Sequence, residues 1–295
     1  MNWLTIVIIA YFLNAIAITI DKILLSKKIP NPAVYAFFIS ALSLFALVLI
    51  PFGFKFYSLT QIIIALVAGI IFAFALLFMF KAISKNEASR ITPFMGGLQP
   101  IFIFIFALIF LDEKLGLQSL TAFFIIILGT VAISWQSGKS SAKSYQLAII
   151  ATLLFAISYT MNKYVFIQQD FISGFVWTRV GAFLGALFLL IPKTNRQDIG
   201  GKIKNPGKNG GGLFIFGQIS GALSFILINY AIAISSSVAL VNALQGLQYI
   251  FLLIIIIPLA KKIPRLLKEE FSPKVLAQKI LATILIILGL FILFF

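Results

Sequence analysis

The sequence contains no cysteine and no histidine, and only eight of its 295 residues are acidic. The first two absences exclude disulfides, thiol nucleophiles, imidazole bases and the usual zinc ligands. A membrane metalloprotease, or a phosphatase that works through histidine, therefore lacks its reactive groups. We predict that the protein is not an enzyme, with no catalytic residue, no metal and no cofactor.

Charge is also scarce. Only 11% of the residues are charged, whereas 61% are hydrophobic, and the mean hydropathy is +1.11. A soluble domain averages about 25% charged and about 45–50% apolar residues. A soluble fold of this length cannot bury so much apolar surface, so lipid must solvate much of the chain. The net charge of +15 is explained by cations that flank membrane spans, and no nucleic-acid partner is predicted.

Long apolar stretches are abundant. A helix needs about 20 apolar residues to cross the hydrocarbon core of a bilayer. The sequence therefore predicts an all-α integral protein of the cell (plasma) membrane, with the lipid bilayer as its surroundings and short polar connections. The connection 193–212 is predicted to be a flexible cytoplasmic or surface loop. Ten stretches qualify, at approximately 3–25, 33–54, 61–83, 89–111, 117–136, 145–167, 171–192, 212–234, 236–260 and 275–295.

The cations are distributed unevenly between the connections. Fifteen lie in the odd-numbered connections, whereas the even-numbered ones hold Lys55 and Lys114. Because lysine and arginine accumulate on the cytoplasmic side, this bias places the odd-numbered connections in the cytoplasm. Both termini are then predicted to lie outside.

Several short stretches occur twice in register. The clearest pair is "AIAITIDK" (15–22) and "AISYTMNK" (156–163), which share alanine, isoleucine, threonine and lysine. The separation between copies grows from 141 to 160 residues along the chain, and it grows only in loops. Further pairs are "GLQPIF" (97–102) with "GLQYIF" (246–251) and "AFFIIILG" (122–129) with "ATILIILG" (282–289).

This pattern predicts a duplication, with one repeat over 1–138 and a second over 145–295. Each repeat has five predicted spans. An odd number of spans inverts the second repeat relative to the first. Inverted repeats are typical of secondary transporters, in which substrate binds between the repeats near the bilayer midplane.

Residues 81–134 resemble the EamA-like repeat of the drug/metabolite transporter superfamily. The shared features are an Ala-rich helix end, a proline within the next helix, the turn "LDEKL" and a late glycine. They fall on Ala82 and Ala88, Pro93 or Pro100, 111–115, and Gly129. The second copy departs from this pattern: Asn242 and Tyr249 replace the prolines. A longer segment, 260–275, replaces the turn, either as an interfacial amphipathic segment or as a solvated loop.

The resemblance implies a ten-helix transporter for a small-molecule substrate. Spans 1, 3, 4, 6, 8 and 9 would line a central cavity. Spans 5 and 10 would lie at the periphery, against lipid or in a homodimer interface. The alternatives are a flippase for lipid-linked substrates and a non-hydrolytic membrane protein without transport.

Polar side chains inside the predicted spans are the candidate substrate-binding residues, because such groups avoid lipid. Arg179 lies about 12 Å into its span, at 1.5 Å per residue. It is an anion-binding residue, a structural residue bonded to backbone carbonyls, or a residue whose side chain extends to the membrane surface. The candidates are Arg179, Lys22, Lys163, Gln99, Gln248, Tyr159, Asn229, Tyr230, Asn242 and Gln245.

Two of these candidates belong to the repeated helix face. Ala156, Thr160 and Lys163 share one side of a helix, as do their counterparts in the first repeat. Gln99 and Gln248 are equivalent in the two "GLQ" motifs and could bind substrate or bridge helices. No carboxylate lies in mid-span, so the cations predict a substrate with an anionic group: an amino acid, an organic acid or a phosphorylated metabolite.

Overall fold

The structure is a computed structural model that describes residues 2–24, 31–85, 88–134, 141–200, 211–262 and 273–294. All regular elements in these ranges are helices. A 3₁₀ helix, Ser43–Phe52, follows directly on α2. The α-helices are α1 (Trp3–Leu24), α2 (Pro32–Leu42), α3 (Leu59–Ser84), α4 (Ala88–Phe110), α5 (Leu117–Ser134), α6 (Ala142–Gln168), α7 (Phe171–Phe188), α8 (Lys193–Gly200), α9 (Gly211–Ile234), α10 (Val238–Ala243), α11 (Gly246–Lys262) and α12 (Pro273–Phe294).

The prediction of an all-α membrane protein is confirmed. Seven helical segments of the described chain are long and apolar enough to span a membrane: Trp3–Ile20, Pro32–Phe52, Leu59–Ser84, Ala142–Gln168, Phe171–Phe188, Ile215–Ile234 and Val238–Ile255. Three more apolar helices are shorter, at Phe94–Phe110, Leu117–Ala132 and Ala277–Leu293.

Short polar residues fix where several helices begin. Asn31 accepts a hydrogen bond from the backbone of Ala33 at 2.8 Å, directly before Pro32. Ser58 and Gln61 form a reciprocal capping box at the start of α3. Ser237 accepts from the backbone of Leu240 at 3.0 Å at the start of α10. Such caps satisfy N–H groups that have no partner inside the helix.

The second predicted span, 33–54, is not a uniform α-helix. It changes to 3₁₀ geometry at Ser43, and this segment ends before Gly53, whose φ is +121°. Pro51 lies inside the 3₁₀ segment and has no N–H to donate. The Ser43 hydroxyl donates to the Arg179 carbonyl at 2.9 Å, which ties the transition to α7.

The ninth predicted span, 236–260, is interrupted between α10 and α11. The backbone N–H groups of Leu247 and Gln248 donate to carbonyls three residues back, each at 3.0 Å. The Gln245 N–H likewise bonds Asn242, so the Val241 carbonyl does not receive its usual partner. The Tyr11 hydroxyl donates to that carbonyl at 3.1 Å.

The prediction of a loop over 193–212 is wrong at its start, because Lys193–Gly200 forms α8. Two side chains of α8 donate to carbonyls that directly follow α7: Asn195 to Leu189 at 2.9 Å and Arg196 to Leu190 at 3.3 Å. These bonds satisfy carbonyls that a helix end leaves free. Residues 201–210 and most of the predicted segment 260–275 lie outside the described residues.

The chain divides into two compact units. The first unit comprises Met1–Lys28, Lys114–Gln136 and Lys204–Phe295, and the second comprises Ile29–Glu113 and Ser137–Ile203. Each unit takes helices from both predicted repeats. The two units, which are defined by contacts between helices, therefore do not coincide with the two repeats, which are defined along the sequence.

In the second unit, α3 packs on both α6 and α7. It runs antiparallel to α6, as hydrogen bonds show from Ser144 to the Ala82 carbonyl at 2.7 Å and from Ser158 to the Ala68 carbonyl at 2.9 Å. Against α7 it runs parallel, and the two backbones touch at glycines: a Cβ on Gly181 would overlap the Leu66 carbonyl. Small residues permit such close helix contact.

In the first unit, α5 and α12 pack antiparallel. Gln118 Nε2 donates to the Ile292 carbonyl, and Gln278 Nε2 donates to the Ala132 carbonyl, both at 2.7 Å. Gly129 lies against Ala282 and Ile286, and Gly289 lies against Ala122 and Ile126. The helix α1 packs antiparallel on α9, where the Ser224 hydroxyl donates to the Ala10 carbonyl at 2.7 Å.

Candidate functional site

Arg179 is buried in the second unit, with 3% of its surface exposed. Its guanidinium carbon lies 4.9 Å from the ring centroid of Phe72 and 5.4 Å from that of Phe175. Tyr159 on α6 lies close enough to interact with it electrostatically. A cation is attracted by aromatic ring faces, most strongly where water is excluded. Arg179 and Tyr159, both predicted site residues, are therefore brought together by α3, α6 and α7.

The predicted face of α6 is buried. Ala156 is inaccessible, Thr160 is 4% exposed and Lys163 is 7% exposed. Long cationic side chains near a helix end commonly extend to the membrane surface. The Lys163 side chain is instead enclosed in the second unit.

Glu113 interacts electrostatically with Lys163 and is itself buried, with 9% exposure. Glu113 belongs to the "LDEKL" turn, and the sequence predicted no role for it. Asp112 has a φ of +50°, the only positive φ of a non-glycine residue in the described chain. The chain reverses there, so that the Glu113 N–H bonds the Ala107 carbonyl at 3.1 Å. Aspartate tolerates this left-handed conformation better than most residues.

In the first unit, Gln248 bridges helices. Its Oε1 accepts a hydrogen bond of 2.6 Å from Asn14 Nδ2 on α1, and it is 2% exposed. Gln248 lies at the start of α11, directly after the interruption between α10 and α11. Gln248 could bind substrate or bridge helices, and in this structure it bridges α11 and α1.

The remaining candidates differ in their surroundings. Asn229 and Asn242 are buried and donate to carbonyls of their own helices, Phe225 and Val238, each at 2.9 Å. Tyr230 is exposed and Gln245 is half-buried. Gln99 is buried in α4 of the second unit. Lys22 lies in α1, but its side chain lies outside the part of the structure that is described.

Asp170 organises the turn between α6 and α7. Its carboxylate accepts hydrogen bonds from the Ser173 backbone at 3.0 Å, the Ser173 hydroxyl at 2.8 Å and the Tyr57 hydroxyl at 3.0 Å. Burial alone would raise the pKa of this carboxyl group. The bonds from Ser173 and Tyr57, together with the nearby Lys55, outweigh that effect and hold the pKa below its usual value.

We expect this network to stabilise the protein above pH 4 and to weaken in acid. Because the folded-state pKa of Asp170 is depressed, its contribution is complete above the unfolded value of about 3.9 and is lost as pH falls through the folded value. Asp170→Ala should lower the free energy of unfolding by about 1 kcal/mol. Asp170→Asn should lower it by less, because asparagine keeps the helix cap. Thermal unfolding of the wild type and both variants at pH 7 and, in strong acid, at about pH 2 tests this. A loss of stability in the variants that is as large in strong acid as at pH 7 would contradict it.

The acidic residues of the described ranges are dispersed. Within the described ranges, no group of three or more aspartates or glutamates is placed to hold a metal ion. The candidate groups in the second unit are instead cations, hydroxyls and aromatic rings. Such groups bind anions and polar molecules through hydrogen bonds and charge.

Comparison with known proteins gives three findings. Residues 1–135 match the EamA-like transporter family. The "Glucose uptake protein GlcU" of Staphylococcus xylosus is 29% identical over 147 residues, covering 46% of this chain and 50% of that protein. The chain thus spans about half the length of the curated relative it matches. A solved structure, titled only "Crystal structure of protein", covers 98% of this chain and 97% of its own, with a TM-score of 0.67 and 14% identity, and it supports the fold alone.

Proposed function

We propose that this chain, which belongs to the drug/metabolite transporter superfamily through the EamA-like domain of residues 1–135, is a secondary transporter that works by alternating access. It is a multi-pass protein of the plasma membrane. Transport of a small molecule is supported by the family match and by the relative that is named for glucose uptake. The phosphate-binding motif G-x-x-x-x-G-K-[ST] is absent from the sequence, which favours transport without nucleotide hydrolysis.

We further propose ten spans. In the second unit, α4 and α6 run parallel: Phe94 pairs with Tyr145, with ring centroids 5.0 Å apart near the helix starts, and Glu113 acts on Lys163 near their ends. The chain between these two helices must therefore return to the face from which α4 started. The apolar helix α5 supplies that crossing, although it is shorter than the seven longest candidates.

The two five-helix repeats, 1–138 and 145–295, are supported by reciprocal contacts between α5 and α12. The sequence aligns these helices at a separation of 160 residues, which pairs Gln118 with Gln278 and Ala132 with Ile292. The hydrogen bonds obey the same pairing, since Gln118 donates to Ile292 and Gln278 donates to Ala132. Contacts exchanged in this way are those of two inverted copies around a two-fold axis.

The reciprocal bonds give a test of this symmetry. Gln118→Leu and Gln278→Leu should each reduce stability by about 1 kcal/mol, the typical value of one such bond, and by similar amounts. The double variant should lose the sum, because the bonds lie at opposite ends of the helix pair. Thermal unfolding in detergent measures all three. A loss from only one of the single variants would contradict equivalent roles.

The proposed substrate is a small metabolite with an anionic group. The seven longest candidate spans contain no aspartate or glutamate, whereas they contain Arg179 and Lys163. Desolvated cations of this kind attract carboxylates and phosphates. The proposed binding residues are Arg179, Tyr159, Lys163 and Gln99 in the second unit, and Lys22, Gln248, Asn229, Tyr230, Asn242 and Gln245 in the first.

A neutral sugar is the second candidate, because the relative that matches over half of its length is named a glucose uptake protein. Sugars are bound by amide side chains and by stacking on aromatic rings. Asn14 and Gln248 supply such amides next to the pair Phe12 and Phe251, whose ring centroids lie 5.4 Å apart.

A metabolite screen by thermal shift on detergent-purified protein tests these proposals. A substrate that binds the folded protein raises its melting temperature. The screen is repeated with Lys22→Ala, Lys163→Ala and Arg179→Ala. An anionic substrate should stabilise the wild type and lose its effect in Arg179→Ala. A sugar that stabilises all four proteins equally would favour the second candidate.

Homodimerisation through spans 5 and 10 is a further proposal. Both helices expose apolar side chains, with Leu128 61%, Leu281 60% and Phe291 60% exposed. Lipid or a second copy could cover them. Light scattering in detergent should give twice the 32.5 kDa chain mass for a dimer. The chain mass alone would contradict the proposal and leave this surface to lipid.

A further inference from the structure

Two threonines that are equivalent in the repeats have different hydrogen bonds. The Thr19 hydroxyl donates to the Ala15 carbonyl of its own helix at 2.8 Å. The Thr160 hydroxyl is buried and has no hydrogen-bond partner among the described residues. A buried hydroxyl without a partner is unfavourable, and such a group commonly marks a site where another molecule binds.

Thr160 lies beside Lys163. Residues three apart in a helix share one face, so the unused hydroxyl and the buried ammonium point in a common direction. An ammonium has three donor hydrogens, and a hydroxyl supplies one more. Together they form a set of donors suited to a carboxylate or a phosphate.

Glu113 already places one carboxylate next to this set. It is buried, it interacts electrostatically with Lys163, and the left-handed turn at Asp112 carries it there. The neighbouring acid, Asp112, is exposed. Of the two acids in this turn, only Glu113 is enclosed with the lysine.

We propose that Thr160 and Lys163 form an anion-binding site in α6 in which Glu113 is the resident counter-ion, and that the carboxylate or phosphate of a substrate replaces it. This inference rests on the proposed transport function and identifies how that substrate is recognised. Separation of two buried opposite charges is strongly unfavourable unless a new partner takes the vacated place. An incoming anion takes the place of Glu113. Exposure of Lys163 therefore depends on the substrate.

Anion binding is tested first, with inorganic phosphate and succinate as probes. Apparent Kd values are obtained from thermal stabilisation of the full chain, at constant ionic strength set with sodium chloride. Glu113→Gln should tighten binding about tenfold by removing the competing carboxylate, while Asp112→Asn, its exposed neighbour, should have no effect. Lys163→Gln and Thr160→Val should weaken binding, whereas Thr19→Val should not.

The two probes separate the sources of the anion. If Glu113→Gln tightens the binding of phosphate alone, the substrate is a phosphorylated metabolite. If it tightens the binding of succinate alone, the substrate is a carboxylic acid. The proposal is overturned if Glu113→Gln leaves both Kd values unchanged, or if Thr160→Val behaves like Thr19→Val.

Opening of the pair is tested with a cysteine reporter, since the natural chain has no cysteine. Thr160→Cys is labelled in membrane vesicles with a maleimide that does not cross the bilayer. Adding Glu113→Gln or Lys163→Gln should accelerate labelling about tenfold, because a single buried charge draws in water. Adding the exchange Glu113→Lys with Lys163→Glu should restore slow labelling. Equal labelling rates in all backgrounds would exclude the interaction of Glu113 with Lys163 as the barrier.

Failure of this proposal can be told apart from failure of the proposed function. If no metabolite is transported but Glu113→Gln still tightens phosphate or succinate binding, the anion site exists without transport. If uptake occurs and is unaffected by Thr160→Val and Lys163→Gln, the transporter recognises its substrate elsewhere.

Discussion

Replacement of Gly181 by alanine should destabilise the protein by about 3 kcal/mol, at the upper end of typical overpacking costs. The added Cβ would overlap the carbonyl of Leu66, and a backbone atom cannot move aside as the end of a side chain can. Gly69 makes the reverse contact, since its Cβ would overlap the Thr178 carbonyl. The α3–α7 contact therefore has no room for a methyl group from either side. Gly181→Leu should prevent folding.

Gly221 provides the matched control. It also lies in a predicted membrane helix, but a Cβ there would lie 3.5 Å from the Ala17 Cβ, an ordinary contact. Gly221→Ala should be neutral or stabilising, because alanine favours the helix by about 1 kcal/mol over glycine. Thermal unfolding of both variants in one detergent measures the difference. A Gly181→Ala protein as stable as Gly221→Ala would show that the α3–α7 packing is looser than described.

Replacement of Arg179 by glutamine should reduce uptake of an anionic substrate at least about a hundredfold, because the charge at a desolvated site is lost. Arg179→Lys should be intermediate: it keeps the charge but not the planar group between Phe72 and Phe175. Uptake by proteoliposomes, normalised to folded protein, measures the effect.

The structural role proposed as the alternative for Arg179 has a different signature. If the guanidinium serves only to join α3, α6 and α7, Arg179→Gln should lower the melting temperature and leave uptake per folded molecule unchanged. Gly185→Ala is a useful comparison, because its Cβ would lie 2.6 Å from the Ala73 Cβ in the same helix contact without altering charge. A lower melting temperature in both variants, with uptake per folded molecule unchanged in both, would assign Arg179 to packing.

The buried face of Ala156, Thr160 and Lys163 could be predicted because helical spacing alone places these residues together. The all-helical membrane fold could be predicted for a similar reason, since apolar length reflects bilayer thickness. Arg179 had to lie within protein because a charge in lipid is too costly.

Other features depend on backbone details that residue types do not determine. Burial of Glu113 follows from the positive φ of Asp112, and nothing in "LDEKL" distinguishes the inward acid from the outward one. The 3₁₀ geometry after Ser43 depends on a distant partner, the Arg179 carbonyl. The interruption after α10 likewise depends on Tyr11, which is 230 residues away in sequence. Such long-range contacts can override local helix propensity.

Uptake by liposomes that contain only the purified protein is the most direct test of the central claim. Carboxylated and phosphorylated metabolites, glucose and an organic cation are compared, with Arg179→Gln as the paired variant. The account predicts saturable uptake of an anionic metabolite that Arg179→Gln abolishes while the protein stays folded. Uptake of the organic cation that is unaffected by Arg179→Gln, or no uptake of any of these compounds, would contradict it.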